Sequence, residues 1–151
     1  WDLEGATHRA GFKIEELVEF VRAASNSEEE FQQAVQDLHQ ALDIAAEKVS
    51  QSTPAEKTLV GQVDALIDTL YFTYGSFVLM GVDPERIFEI VHQANMGKIF
   101  PDGKAHFDPV THKILKPDNW KEKYAPEPAI KKEIERQIKA YERHKERENQ
   151  K

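Results

Sequence analysis

The chain has 151 residues, 40% of them apolar and 31% charged, no cysteine, and a formal net charge of −7. That length suits one domain with a core of its own rather than two. The missing thiols exclude disulfides and thiolate metal ligands, and the acidic balance opposes nucleic acid as a bulk partner, because phosphate backbones are held by basic surfaces.

Five helices are predicted in chain order. The first covers residues 6–24, with Ile14, Leu17, Val18 and Val21 as its apolar stripe. Ser27 caps the second, Glu30 completes a capping box, and Phe31, Val35, Leu38, Leu42 and Ala45 line one face. Thr53-Pro54 followed by Glu56 signals the third and longest helix, which ends near Gly81. Asp83-Pro84 opens the fourth, which carries Ile87, Phe88, Ile90 and Val91 to about Lys98. Periodicity then fails across residues 101–120, where the pieces KAHFD and HKILK are compatible with at most a small hairpin. From Glu127 a charged helix places Ile130, Ile134, Ile138 and Tyr141 at helical spacing, a narrow stripe that docks and then frays after Tyr141. The expected architecture is an all-α helical bundle with one irregular segment: residues 1–125 form the helical domain, and residues 126–151 form a charged helical extension of it.

The third helix concentrates the chemistry. Its stretch LVGQVDALIDTLYFTYGSFVLMGV has Asp64 and Asp68 as its only charges. These lie four residues apart, hence on one side of a helix. A helix apolar around nearly its whole circumference is expected to be buried, and burying two unpaired carboxylates would cost several kcal/mol, so protonation, a cation or a metal is expected there. The run has the length of a membrane span, but two Asp and a Gln inside it oppose insertion. Nothing resembles a signal peptide, and Trp1 in place of Met reads as the mark of a trimmed chain. A cytoplasmic protein is the simplest expectation.

On the first helix Glu15, Glu16 and Glu19 occupy one sector, opposite the apolar stripe. Alone they read as the solvent face of an amphipathic helix. Joined to Asp64 and Asp68 they offer hard oxygen ligands suited to Mg²⁺ or Mn²⁺, which bridge naturally to phosphate. Two such turns on facing helices could hold two ions. Downstream, His92, Asn95 and Lys98 lie along the end of the fourth helix, and Lys104, Lys113, Lys116 and Trp120 come after it. Converging lysines could take phosphate charge; equally, Asn95 and Lys98 could simply end a helix, where a cation suits the macrodipole. Glu89 and His92 form a single ExxH, whereas a di-iron bundle needs two such units and two further Glu.

EELVE on one helix, an acidic turn further along, LYFTYGSFVLMGVDPERIFEIVHQANMGK and the DGK…LKPDNW tail together resemble the MazG-like branch of the all-α NTP pyrophosphohydrolases. That superfamily also includes dimeric dUTPases and phosphoribosyl-ATP pyrophosphohydrolases. The resemblance implies a Mg²⁺-dependent hydrolase that cuts a (d)NTP between the α- and β-phosphates. It also implies a helical homodimer or dimer of dimers with active sites near the subunit interface. Residue by residue, the family's ExxE falls on Glu16 and Glu19, and the Asp of its ExxD falls on Asp68. The Glu of that second motif is replaced by Ala65, so Asp64 is the nearest substitute. By this resemblance Glu16, Glu19, Asp64 and Asp68 hold metal, and Glu15 or Glu16 takes the proton of the attacking water. Lys98, Lys104 and Lys116 hold the phosphates, while Asn95 and Trp120 lie near base or phosphate. Ala65 keeps an alternative open, a nucleotide- and metal-binding helical dimer without turnover.

Overall fold

The structure, a computed structural model, describes residues 1–52 and 58–150. The described residues form six helical elements: α1 (Leu3–Ala24), α2 (Glu28–Ser50), α3 (Leu59–Met80), α4 (Glu85–Met96), the five-residue α5 (Trp120–Tyr124) and α6 (Glu127–Glu148). Among them the one β feature is an isolated antiparallel bridge between Phe107 and Ile114. The chain divides into two compact units, Trp1–Ile67 and Asp68–Lys151, and α3 runs continuously through the division. No helix among the described residues is long and apolar enough to cross a membrane.

In the first unit, helix ends follow local chemistry. The Asp2 carboxylate accepts the Gly5 amide at 2.8 Å, which starts α1 three residues earlier than the apolar pattern alone suggests. Ser27 caps α2 by accepting the Glu30 amide at 3.2 Å. The Glu30 carboxylate reaches back one residue beyond the usual box, to the Asn26 backbone amide at 2.7 Å. Those bonds from Asn26 hold its carboxyl below the ordinary range. α1 and α2 pack as a helical hairpin near their turn, with Val18, Val21, Phe31, Val35 and Leu38 half-buried. Arg22 bridges them, pairing with Glu28 at 2.8 Å and lying 4.8 Å from the centre of the Phe31 ring. The start signal at Thr53-Pro54 lies outside the described residues; within them, the Thr58 hydroxyl accepts the Gly61 amide at 3.1 Å and caps α3.

α3 ends in a Schellman motif. Gly81 adopts φ +68°, the Val82 amide donates to the Phe77 carbonyl at 3.0 Å, and the Gly81 amide donates to the Val78 carbonyl at 3.0 Å. The burial expected for α3 is not met within the chain. Leu70 is 52% exposed, Phe72 73% and Leu79 90%, and only Gln62, Ser76 and Phe77 are half-buried. Hydrophobicity states that a surface needs covering, not which molecule covers it.

In the second unit, α6 docks on α4. The Gln137 side chain clasps the backbone just before α4, accepting the Asp83 amide at 2.9 Å and donating to the Asp83 carbonyl at 2.9 Å. α6 is half-buried at Ile130, Ile134 and Ala140, whereas Tyr141 and every described residue after it are exposed, although the helix continues to Glu148. KAHFD and HKILK do pair as a hairpin: the Asp108 amide donates to the Lys113 carbonyl at 2.9 Å and the Leu115 amide to the His106 carbonyl at 2.8 Å.

Candidate functional site

Glu15, Glu16 and Glu19 stand on α1 in solvent, and Asp64 and Asp68 on α3 are likewise exposed. The desolvation argument for a cation at Asp64 and Asp68 therefore does not act within this chain, because neither carboxylate has left water. Among the described residues no group of three or more His, Asp or Glu side chains is gathered as a metal site. The donor chemistry still fits a hard divalent cation, since every candidate ligand is an accessible carboxylate with no competing sulfur or imidazole. Ala65, where the related motif carries Glu, lies on α3 beside Asp64.

The second cluster is assembled. Trp120, the first residue of α5, is 8% exposed and packs against Ala94, which is 5% exposed. Its indole N–H donates to the Ala94 carbonyl at 2.8 Å. That bond completes the end of α4. The Gln93 carbonyl takes the Gly97 amide at 2.9 Å, Asn95 takes Lys98 at 3.1 Å, and Met96 takes Ile99 at 3.2 Å. All four terminal carbonyls of the helix are thus satisfied. Gly97 has a steric reason as well, because a Cβ there would collide with the Tyr124 ring.

Around this end the structure brings together four of the expected residues. The Lys98 ammonium donates to the Asn95 side-chain oxygen at 2.7 Å, and the Asn95 amide donates to the Val91 carbonyl at 3.1 Å. Lys116 lies 4.3 Å from the Trp120 ring centroid and Lys98 5.9 Å from it. Lys104 sits in the turn beyond, its backbone amide donating to Asp102 at 3.0 Å and its carbonyl accepting the Phe100 amide at 2.9 Å. Asp102 also bonds His106 at 2.8 Å, and the His106 ring stacks on Phe100 at 4.2 Å. The His106 bond, followed by the Lys104 amide, holds the Asp102 carboxyl below the usual range.

One buried charge was not singled out from sequence. Glu133 on α6 is 7% exposed and receives Arg136 through two nitrogens, at 2.8 and 2.6 Å, and the Gln137 amide at 3.1 Å. Arg86 approaches it from α4 at 3.9 Å. The Arg136 bonds, then Gln137, hold its carboxyl down to about 2. The signal was present as Glu, Arg and Gln at i, i+3 and i+4 on one helix. Its partner on α4, Arg86, was not readable from that spacing. Glu89, half of the single ExxH, bonds Gln93 at 2.6 Å, and His92 is exposed.

The described residues are helical apart from the hairpin segment, carry exposed carboxylates on α1 and α3, and place two lysines beside a buried tryptophan at the end of α4. Comparisons with known proteins identify the family. The family model for phosphoribosyl-ATP pyrophosphohydrolase matches residues 1–95. A crystal structure at 1.78 Å resolution of a protein from Exiguobacterium sp. 255-15, provisionally assigned as an NTP pyrophosphohydrolase, is 41% identical to this chain. The likeness covers 93% of this chain and 84% of that one, with a TM-score of 0.81. No curated protein matches. The chain belongs to the phosphoribosyl-ATP pyrophosphohydrolase family, with the MazG-like all-α fold, and is a hydrolase acting on pyrophosphate bonds.

Proposed function

We propose that this hydrolase cleaves a nucleoside or deoxynucleoside triphosphate between its α- and β-phosphates, yielding the monophosphate and pyrophosphate, with Mg²⁺ (or Mn²⁺) as cofactor. The observation that carries the reading is the 41% identity, over 93% of the chain, to the Exiguobacterium protein assigned to NTP pyrophosphohydrolysis. Glu16, Glu19, Asp64 and Asp68 are the residues that would hold the metal, Asp64 standing in for the carboxylate that Ala65 lacks. When bound, Mg²⁺ neutralises the polyphosphate and polarises the scissile anhydride. Glu15 or Glu16 accepts the proton as water forms the new P–O bond and pyrophosphate departs with the electrons of the old one. Lys98, Lys104 and Lys116 hold the phosphate tail, and Asn95 stands beside it, already bonded to Lys98.

The working form is a homodimer, or a dimer of such dimers. The exposed apolar side chains of α3, Leu70, Phe72 and Leu79 among them, support this reading. Exposed apolar side chains on more than one side of a helix are costly in a monomer, and association with further copies would cover them and add a second set of carboxylates to each site. Sedimentation should give a mass of twice the chain or more, and a monomer at micromolar concentration would refute the assembly. A nucleotide triphosphate substrate fits a cytoplasmic enzyme.

The activity is tested by incubating the purified protein with each standard NTP and dNTP, with Mg²⁺ and with EDTA, and resolving the products by chromatography. A monophosphate and pyrophosphate formed only with metal is the expected result. Absence of turnover with all of them, while a nucleotide still raises the melting temperature, would replace the proposed reaction with binding alone.

A further inference from the structure

We infer that the groove between α4 and α6 is a second anion site, built by Arg86, Lys132 and Arg136 around the buried Glu133, and that it takes a phosphate monoester of the sugar-phosphate class. The inference does not depend on the nucleotide reading above. Arg86 stands in the first turn of α4, and Asn95 lies about 14 Å further along the helix axis.

Arg86, Glu89 and Ile90 on α4 and Lys132, Glu133 and Arg136 on α6 line one cavity of about 460 Å³, within the size range of small-molecule sites. Glu133 orders it. A buried carboxylate is costly, and apolar side chains would dock two helices as well; what the carboxylate adds is a fixed position for guanidinium groups. Arg136 Nε donates to Glu133 Oε2 at 2.8 Å, and Arg86 Nη1 lies 3.9 Å from that same oxygen. The two nitrogens are therefore no further apart than the sum of those distances, a separation that the oxygens of one phosphate can bridge with charge-assisted bonds.

Arg136 spends Nε and Nη2 on Glu133, so its Nη1 has no acceptor among the described residues. Arg86 lies beyond hydrogen-bond distance of the carboxylate, and the exposed Lys132 has no ion pair among the described residues. Three cations against Glu133 leave two positive charges, which match a phosphate monoester dianion near neutral pH. Glu89 sets the rest of the ligand. Its Oε1 accepts the Gln93 amide at 2.6 Å, and its Oε2 is an acceptor for a ligand hydroxyl. The same carboxylate repels a second phosphoryl group, so the groove suits a hydroxylated monoester over a polyphosphate, with Ile90 against its carbon skeleton.

The test titrates ribose 5-phosphate, ribose and inorganic phosphate into the full chain by calorimetry at fixed ionic strength. Ribose 5-phosphate should bind saturably, about tenfold more tightly than inorganic phosphate, and ribose should not bind. Arg86→Gln and Lys132→Gln should each weaken ribose 5-phosphate by about tenfold, whereas Lys116→Ala, beside Trp120, should leave its affinity intact. Lys132→Gln removes no bond of the fold, so it decides the matter even where Arg86→Gln loosens α6. Neither saturable heat nor a rise in melting temperature with ribose 5-phosphate would refute the inference. Unchanged affinity in both glutamine variants would refute it too, reducing Glu133 and its arginines to a docking device. A loss confined to Lys116→Ala would move the binding to the lysines beside Trp120 and overturn the site. Equal affinity for inorganic phosphate and ribose 5-phosphate would overturn the sugar-phosphate class.

Discussion

Gln137→Ala is the sharpest test of how α6 is held. The Gln137 amide group makes two bonds to the backbone of one residue, Asp83, both at 2.9 Å, and a third to Glu133 at 3.1 Å. Alanine keeps helix propensity at the position, so the change isolates those bonds. A typical intramolecular hydrogen bond contributes about 0.5–1.5 kcal/mol net. Gln137 is half-buried and water reaches the Asp83 groups, which selects the lower part of that range. Loss of the clasp should therefore cost about 1–2 kcal/mol, or about 2–8 °C in melting temperature for a chain of this size. Urea unfolding followed by circular dichroism measures the first quantity. Hydrogen exchange at the Asp83 amide, which should lose protection selectively, measures the local consequence. An unchanged unfolding midpoint with an unchanged Asp83 exchange rate would refute the claim that this side chain docks α6 on the α4 entry.

The acid limb of stability should carry the signature of Glu133. Its carboxyl titrates at about 2 in the fold against an ordinary 4.5, so its contribution is full above pH 4.5 and is lost as pH falls toward 2. The stability difference between wild type and Glu133→Gln should shrink over that window, and a constant difference would contradict the assignment. Asp68→Asn should abolish metal-dependent turnover, by more than the roughly 10–100-fold typical of residues that only support a ligand. Because Asp68 is exposed, the same variant should unfold within about 0.5 kcal/mol of wild type; activity retained in a folded variant would remove Asp68 from the metal set. Gly97→Val should displace the Tyr124 ring that a Cβ would strike and lower the melting temperature, and a wild-type unfolding curve would show that α5 can retreat freely.

Local chemistry was legible along most of the chain. Ser27 and Gly81 fix their helix ends through bonds to residues within five positions, so the pattern alone reaches them. A small hairpin across KAHFD and HKILK was readable from their turn residues, but not its register, in which Phe107 bridges to Ile114. The fate of α3 was not, because a two-sided apolar helix is the same string whether its cover is this chain or another. The roles of Trp120 and Gln137 escaped for a related reason. The Ala94 carbonyl is 26 residues from Trp120, and Asp83 is 54 residues from Gln137. Spacing along one helix carries no record of such distant partners. In the candidate site, the lysines, Asn95 and Trp120 were recognisable as a group by residue type, but that Lys98 and Lys116 would both lie within 6 Å of the Trp120 ring depends on that distant bond.

The bond between Trp120 and Ala94 also closes a ring of chain. Everything between them, including Lys104, the His106–Phe100 stack and the hairpin, leaves and returns at one fixed base. For a segment tied at both ends, doubling its length costs only about 0.6 kcal/mol of closure entropy. Insertions, deletions and new side chains at its tip can therefore accumulate without unsettling α4 or α5. The length of chain between Ala94 and Trp120 is therefore the part of this unit that can change at least cost to the helices that hold its base.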